Sequence, residues 1–316
     1  MTELRHFKPA GKAVFKDRYT TKVKELLCDW KPGMTGSFAL AGVPLSKPSI
    51  SHSGASFAPD VIRAVLQSYT TYAGDSGLEL TDPILDVGDI AMDPTDIVGD
   101  QQRAYEGLRD AYASNAARWW MVLGGDHSIS YASIKAYAQQ VGRVGVIQFD
   151  AHHDLRNIED GGPTNGTPFR RLLMDNIIRG DDLVQIGIRD FTNASEYARY
   201  ADEQGVTVYS MQDVGRISLA KILQKELERL GEHVDAIYLS VDIDVLDQAF
   251  APGCPAIGPG GMDSQTLLTG IYEASQHEKV RVMDIVEIDP TIDFRNMTSR
   301  VAAYGMCQFI MAKKMG

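Results

Sequence analysis

Apolar residues fall along this chain in short runs, separated by segments in which they recur at helical spacing. Eight runs read as strands: FALAGV (38–43), ILDVG (84–88), WMVLG (120–124), VGVIQF (144–149), LVQIGI (183–188), VTVY (206–209), AIYLSV (236–241) and VRVMDIV (280–286). Several are apolar at successive positions, the pattern of a strand covered on both faces. Between them, PDVIRAVLQSY (59–69), LAKILQKELERL (219–230), DSQTLLTGIYEASQ (263–276) and SRVAAYGMCQFIMAKK (299–314) read as helices. Pro59 sits near the start of the first, where a missing N–H is tolerated, and Asp263 or Ser264 can cap the third. Strand and helix alternate to the end, without a linker-like stretch or an internal repeat. The expectation is a single α/β domain over residues 1–316, with residues 1–36 packing on it as an N-terminal extension. Its sheet should be eight-stranded and mainly parallel, with helices on both faces.

Composition sharpens this only modestly. A chain of 316 residues that is 44% hydrophobic can bury a large core. The net charge is −11 and the Lys and Arg residues are scattered, which argues against nucleic acid or an anionic membrane as partner. MTELRHFKPAGK lacks the apolar core of a signal peptide, and no stretch is long enough to span a bilayer. Cys28, Cys254 and Cys307 lie far apart, without disulfide or metal spacing, and read as reduced thiols of a cytoplasmic protein.

The chemistry gathers where strands end, which is where doubly wound sheets bind ligands. LGGDHS (123–128) places His127 directly behind a glycine turn. FDAHHDLRN (149–157) carries Asp150, His152 and Asp154 at every second position; in extended chain such residues share a face, about 6.6 Å apart. LSVDIDVLDQAFAPG (239–253) repeats the pattern with Asp242 and Asp244. Each segment alone is compatible with a solvated loop, an Asx turn or a helix cap. Together they form a cluster of four carboxylates and two imidazoles. Four carboxylates in one cleft repel, and some would be forced to hold protons. Two dications balance the four charges and leave a bridging water that is readily deprotonated. Oxygen donors with two imidazoles and no thiolate suit Mn²⁺ better than a structural zinc site. Two ions about 3.5–4 Å apart can share carboxylates and generate hydroxide at neutral pH.

GGDHS, DAHHD and SVDIDVLD resemble the three metal-binding motifs of the ureohydrolase superfamily, which includes arginase, agmatinase and formimidoylglutamase. The similarity runs from about residue 41, through SGASFAPDVIRAVL (53–66), to the final helix. The resemblance implies an arginase-like fold and two Mn²⁺ per subunit. His127, Asp150, Asp154 and Asp242 would surround one ion. Asp150, His152, Asp242 and Asp244 would surround the other, with Asp150 and Asp242 bridging. His153 occupies the variable position of its motif and should point away. Glu287, in VMDIVEIDP (282–290), matches the substrate-side glutamate that pairs with a cationic amidine or guanidine.

One segment separates the branches. Guanidine-cleaving members commonly carry a histidine where GGPTNGTPFRRLL (161–173) has Asn165, and an amide is no general acid or base near neutrality. DAHHDLRNIEDGGPTNGTPFR and LDQAFAPGCPAIGPGGMDS instead resemble the formimidoylglutamase branch. That resemblance implies hydrolysis of N-formimidoyl-L-glutamate to formamide and L-glutamate, a late step in histidine breakdown. The substrate's carboxylates then require donors: Arg156 first, as a bidentate fork just behind the metal motif, followed by Arg189 in GIRDF (187–191), Asn165 and Arg170. Asp154 would carry the proton to the leaving amine. Relatives commonly assemble as homo-oligomers, which is expected here too. A guanidino hydrolase releasing urea, and a non-catalytic homologue that keeps its metals for structure, are the competing readings. APGCPAIGPGG (251–261) lacks the Lys-Ser/Thr of a phosphate-binding loop and reads as a loop shaping the mouth of the site, with Cys254 a packed thiol.

Overall fold

The computed structural model of the chain describes residues 17–93 and 95–315. A short strand opens it, β1 (Leu27–Asp29), followed by β2 (Gly36–Val43). An antiparallel pair, β3 (Tyr72–Ala73) and β4 (Leu78–Glu79), stands apart from the main sheet. Then come β5 (Ile84–Asp89), β6 (Ala117–Gly124), β7 (Val144–Phe149), β8 (Leu183–Ile188), β9 (Thr207–Ser210), β10 (Ala236–Asp242) and β11 (Val280–Val286). All eight expected strands are present, but the main sheet has nine, in the order β1-β5-β2-β6-β11-β10-β7-β8-β9, with every pairing parallel. The ninth is β1, which pairs with β5 at one edge. Its three residues, LCD, are too few to show a period. Of the expected N-terminal extension, residues 1–16 lie outside the described residues; Val23 is buried and β1 extends the sheet.

The helices are α1 (Ala58–Val65), α2 (Ile97–Ala113), α3 (Ile129–Val141), α4 (Pro168–Met174), α5 (Ser195–Gln204), α6 (Met211–Ile217), α7 (Leu219–Gly231), α8 (Ser264–Gln276) and α9 (Met297–Met315). They cover both faces. Ile147 and Phe149 of β7 and Leu239 and Val241 of β10 pack toward α1, α7, α8 and α9. Val144, Val146 and Tyr238 pack toward α2, α3 and α4. Both faces are therefore apolar, which is why the strands read as continuous hydrophobic runs. The expected helix at 59–69 is shorter than its pattern: α1 stops at Val65 and tightens into a 3₁₀ turn, Leu66–Ser68. α8 begins where expected, with the Asp263 carboxylate accepting from Thr266 N at 2.8 Å. Among the described residues no helix is long and apolar enough to cross a membrane.

β6, β11, β10 and β7 are neighbours at the centre of the sheet. Being parallel, they release their chains at the same end, and the motif residues meet there.

Candidate metal centre

Each motif is bent into place by local chemistry. After β6 the chain passes against the 43–45 segment, with Gly125 N donating to Val43 O (2.9 Å) and Asp126 N to Leu45 O (2.8 Å). A Cβ on Gly125 would lie 1.7 Å from Leu45 O, so only glycine permits this approach, which turns His127 back over the strand ends. After β7, Asp154 adopts φ +52°, and after β11, Glu287 adopts φ +63°. Left-handed backbone disfavours side-chain-bearing residues by about 1–3 kcal/mol each, a strain typical of functional positions. After β10, Asp242 caps a 3₁₀ turn, accepting from Asp244 N at 2.9 Å.

The six expected ligands come together. His127 Nδ1 lies 2.8 Å from Asp154 Oδ2 and 3.1 Å from both Asp150 Oδ2 and Asp242 Oδ2. His152 Nδ1 lies 2.7 Å from Asp244 Oδ2 and 3.5 Å from Asp150 Oδ1. The donor atoms of His127, Asp150, Asp154 and Asp242 all fall within 4.8 Å of one another, as do those of Asp150, His152 and Asp244. Asp242 also groups with Asp244 and the buried thiol of Cys254. Asp150 thus touches both halves of the cluster.

The donor set fits a pair of dications. His127 Nδ1 is buried and makes no hydrogen bond, although three carboxylate oxygens ring it. Without a cation the cluster is electrostatically frustrated. Burial raises Asp154 to about 6, and burial with the charges of Asp244 and Asp150 holds Asp242 well above the carboxylate range. The Asp244 carboxylate lifts His152 to about 12. Burial opposes charging of His127, yet Asp154 and its neighbours hold it well above its ordinary value. These groups are competing for too few protons, a competition that metal ions end.

Beneath the ligands lies a buried polar layer that sequence reasoning did not single out. Gln148 Nε2 donates to Asp150 Oδ2 (2.6 Å), and Gln185 Nε2 donates to Gln148 Oε1 (2.7 Å). His153 points away from the cluster as expected, its Nδ1 bonding Gln185 Oε1 at 2.6 Å. On the other side, His127 Nε2 meets Ser240 Oγ at 3.0 Å, and Ser240 donates to Asp284 Oδ1 at 2.8 Å. Such outer contacts orient ligands. The one sequence signal was a polar letter interrupting each of four apolar runs.

A cleft of 450 Å³ opens over the cluster, lined by His152, Asp154, Asp242, Asp244 and Glu287 at its base, with Arg156, Asn165, Thr192, Asn193 and Tyr197 around them. A larger cavity, 560 Å³, lies between the Tyr69–Ser76 segment and α9; it holds none of the expected site residues, so the chemistry and not the volume picks out the site. Glu287 is 2% exposed. Its Oε1 accepts from His127 N (2.8 Å) and Asn165 Nδ2 (3.1 Å), whereas Oε2 is buried without a partner. Burial, reinforced by the Asp126 carboxylate, pushes Glu287 up to about 8. Asp126 itself, pushed by burial to about 7, was missed because it sits between a glycine turn and the more conspicuous His127.

The model of the arginase family matches residues 36–312. The chain belongs to the arginase family. Within that family it is 54% identical over 309 residues to the formimidoylglutamase of Halalkalibacterium halodurans, covering 97% of each chain. It is 47% identical over 303 residues to the formimidoylglutamase of Bacillus subtilis, covering 95% of each. The crystal structure of the latter superimposes with a TM-score of 0.95 at 45% identity, covering 98% of this chain and 97% of that one.

On this family framework the remaining expected contacts divide. Asn165 reaches the cleft, its amide fixed between Glu287 and Ile50 N (3.2 Å). Arg156 also reaches it; the side chain is exposed, lies over Gly166, and its guanidinium makes no ion pair or hydrogen bond among the described residues. Arg189 does not line the cleft. It is 6% exposed and its fork is spent on backbone, NH1 to Gly258 O (2.7 Å) and NH2 to Asp244 O (2.9 Å), so it braces the ligand loop from below. Arg170 is likewise displaced: its guanidinium stacks 3.4 Å from the Tyr200 ring, in a neighbouring cavity with Glu159 and Glu196. The signal for Arg189 was its place at a strand end and for Arg170 its place in the segment resembling the formimidoylglutamase branch, and neither fixes where a side chain points. Cys254 is buried, as expected of a packed thiol.

Proposed function

We propose that this chain hydrolyses N-formimidoyl-L-glutamate to L-glutamate and formamide, using two Mn²⁺ per subunit. The observation that carries the reading is the charge layout of a single cleft. Glu287, whose buried Oε2 has no hydrogen-bond partner among the described residues, lines it beside the metal cluster, and Arg156, whose guanidinium is unpaired among them, lines it too. A substrate with a formamidinium at one end and two carboxylates at the other matches that layout. The formimidoylglutamases among its relatives support the same choice, as does Asn165 at the position where a proton-carrying histidine would favour guanidine cleavage.

His127, Asp150, Asp154 and Asp242 would hold one ion, and Asp150, His152, Asp242 and Asp244 the other. The pair of dications would supply a nucleophile generated from water near neutral pH and charge to stabilise a tetrahedral carbon. The protein does the rest. Glu287 accepts N–H groups of the amidinium and holds its carbon above the cluster, while Asn165 and His127 N fix the carboxylate that does so. Arg156 binds a carboxylate at the other end as a fork. The C–N bond to the glutamate nitrogen breaks, the water oxygen stays with formamide, and Asp154 passes a proton to the leaving amine. Three free thiols, Cys28, Cys254 and Cys307, support a cytoplasmic location, and assembly into a homo-oligomer completes the reading.

Reconstitution with Mn²⁺, followed by assay with formimidoylglutamate, agmatine, arginine and guanidinobutyrate, tests the reading. Formamide from the first substrate alone is expected. Urea from a guanidine substrate overturns the substrate choice, and no product from any compound favours a metal-holding, non-catalytic protein. Elemental analysis finding fewer than two ions per subunit removes the mechanism.

A further inference from the structure

A row of polar side chains crosses the four strands beneath the cluster. Asp284 on β11 is in register with Ser240 on β10, Ser240 with Gln148 on β7, and Gln148 with Gln185 on β8. All four are fully buried, in strands that are mostly apolar. Polar groups in such a setting destabilise a fold unless their hydrogen bonds are satisfied. The glutamines are occupied in holding Asp150. The other pair has its own arrangement.

Asp284 accepts from Ser130 Oγ (2.6 Å), Tyr238 OH (2.9 Å), Ser240 Oγ (2.8 Å) and Val241 N (3.3 Å). Four donors fill the acceptor sites of an ionised carboxylate. Burial raises the Asp284 pKa, and the hydroxyl donors oppose that rise. A carboxylate only accepts, so the single proton of Ser240 is committed to it. The contact between Ser240 Oγ and His127 Nε2, 3.0 Å, must then be an Nε2–H donating to the hydroxyl oxygen. In the neutral ring that binds a metal, Nδ1 then carries the lone pair, aimed at the ring of Asp150, Asp154 and Asp242 oxygens. The far side obeys the same direction. Tyr238 donates to Asp284, so Ser133 (2.7 Å) donates to Tyr238, and Tyr112 (2.8 Å) donates to Ser133. Every proton in the network points toward Asp284.

We propose that Asp284, acting through Ser240, is a positioning residue that fixes His127 as its Nε2–H tautomer and so reserves Nδ1 for a metal ion. The inference rests on the cluster being a metal centre. The opposite tautomer would aim a proton at the ion's position, and Ser240 would then face a ring nitrogen with no proton to give it.

The unmodified protein provides the first test. With isotope-labelled histidine and a diamagnetic dication, Zn²⁺ or Cd²⁺, nitrogen NMR should find His127 protonated at Nε2 and metal-shifted at Nδ1; a proton on Nδ1 overturns the proposal. The second compares two variants by calorimetric Mn²⁺ titration. Ser240→Ala should weaken one of the two ions by about 10–100-fold and leave the other alone, whereas Tyr238→Phe, which removes a donor to Asp284 but keeps Ser240, should bind both within about threefold of the unsubstituted protein. Unchanged binding in Ser240→Ala, or loss of the same ion in Tyr238→Phe, overturns the proposal, the latter by tracing the effect to general loosening. Failure of the unsubstituted protein to bind any ion is a separate result: it removes the metal centre, and the proposal with it.

Discussion

Replacing Glu287 by Gln tests the contact on which substrate choice depends. The substitution keeps shape: the side-chain oxygen can still accept from His127 N and Asn165 Nδ2, at the present 2.8 and 3.1 Å. The amide NH₂ then takes the place of Oε2, a buried atom with no hydrogen-bond partner among the described residues. An amidinium offers only N–H groups, so an anionic acceptor becomes a donor set against donors. Removing one partner of a buried, hydrogen-bonded charge pair costs about 2–5 kcal/mol. At about 1.4 kcal/mol per decade, kcat/KM should fall roughly 30- to 4,000-fold. Steady-state release of glutamate and formamide, from about pH 6 to about pH 9, measures both the size and the signature. Glu287 must lose its proton to pair with the cation, and in the metal-free pocket it does so at about 8. Nearby dications lower that value, so substrate affinity should weaken with falling pH at or below it, a dependence absent from the Gln variant. A neutral amide removes a buried charge, so lost stability cannot explain lost activity. Activity within about threefold of the unsubstituted enzyme, with a full metal complement, would falsify the assignment.

Three further outcomes are expected. Asp154→Asn should abolish turnover or release the ion beside His127 Nδ1, now 2.8 Å from its carboxylate; near-normal turnover refutes the proton-carrying role. In chelator-treated protein the Tm should fall as pH rises from about 5 to about 9, and Mn²⁺ should restore most of the loss. The sign follows because Glu287, Asp126 and Asp154, raised by burial to about 8, 7 and 6, are most favourable in the fold while protonated. His152, raised to about 12 chiefly by Asp244, likewise loses its contribution as pH climbs above its ordinary value; Asp150, whose pKa is lowered, acts in the opposite sense. A flat melting profile would contradict the frustrated-cluster account. Finally, Arg156→Ala should raise KM for formimidoylglutamate without lowering Tm, whereas Arg189→Lys should lower Tm, because each lost charge-assisted bond to Gly258 O or Asp244 O is worth about 1.5–3 kcal/mol. The reverse pattern in melting and kinetic assays would exchange the two arginines' roles.

The expected ligands were legible in the sequence because their every-second-position spacing begins at strand ends, although it is the left-handed bend at Asp154 and the 3₁₀ turn after Asp242 that bring the side chains together. The eight long strands were legible for a related reason, since burial on both faces leaves an unbroken apolar signature. β1 escaped notice because three residues pairing only with β5 carry no periodic signal, and the two-residue β3 and β4 carry even less. Gln148, Gln185, Ser240 and Asp284 were invisible for the opposite reason. A single polar letter inside VGVIQF or LVQIGI looks like tolerance on one strand, and becomes meaningful only when strand register aligns it with others. Arg189 and Arg170 show the limit of proximity along the chain. One follows the end of β8 and the other lies in α4, but the first is drawn under the ligand loop by carbonyls and the second outward by an aromatic ring.

The direct pairing of β7 with β10 has a consequence for how this architecture diversifies. Asp150 and Asp242, the two expected bridging carboxylates, issue from adjacent strands, so their separation starts from backbone spacing, about 4.8 Å, rather than from loops. These two carboxylates are in effect mounted at the centre of the sheet. Everything that meets the rest of a substrate, from Asn165 to Arg156, hangs instead on connecting segments. Ancestral changes of diet would therefore rewrite the connections and leave the hydrolytic engine untouched.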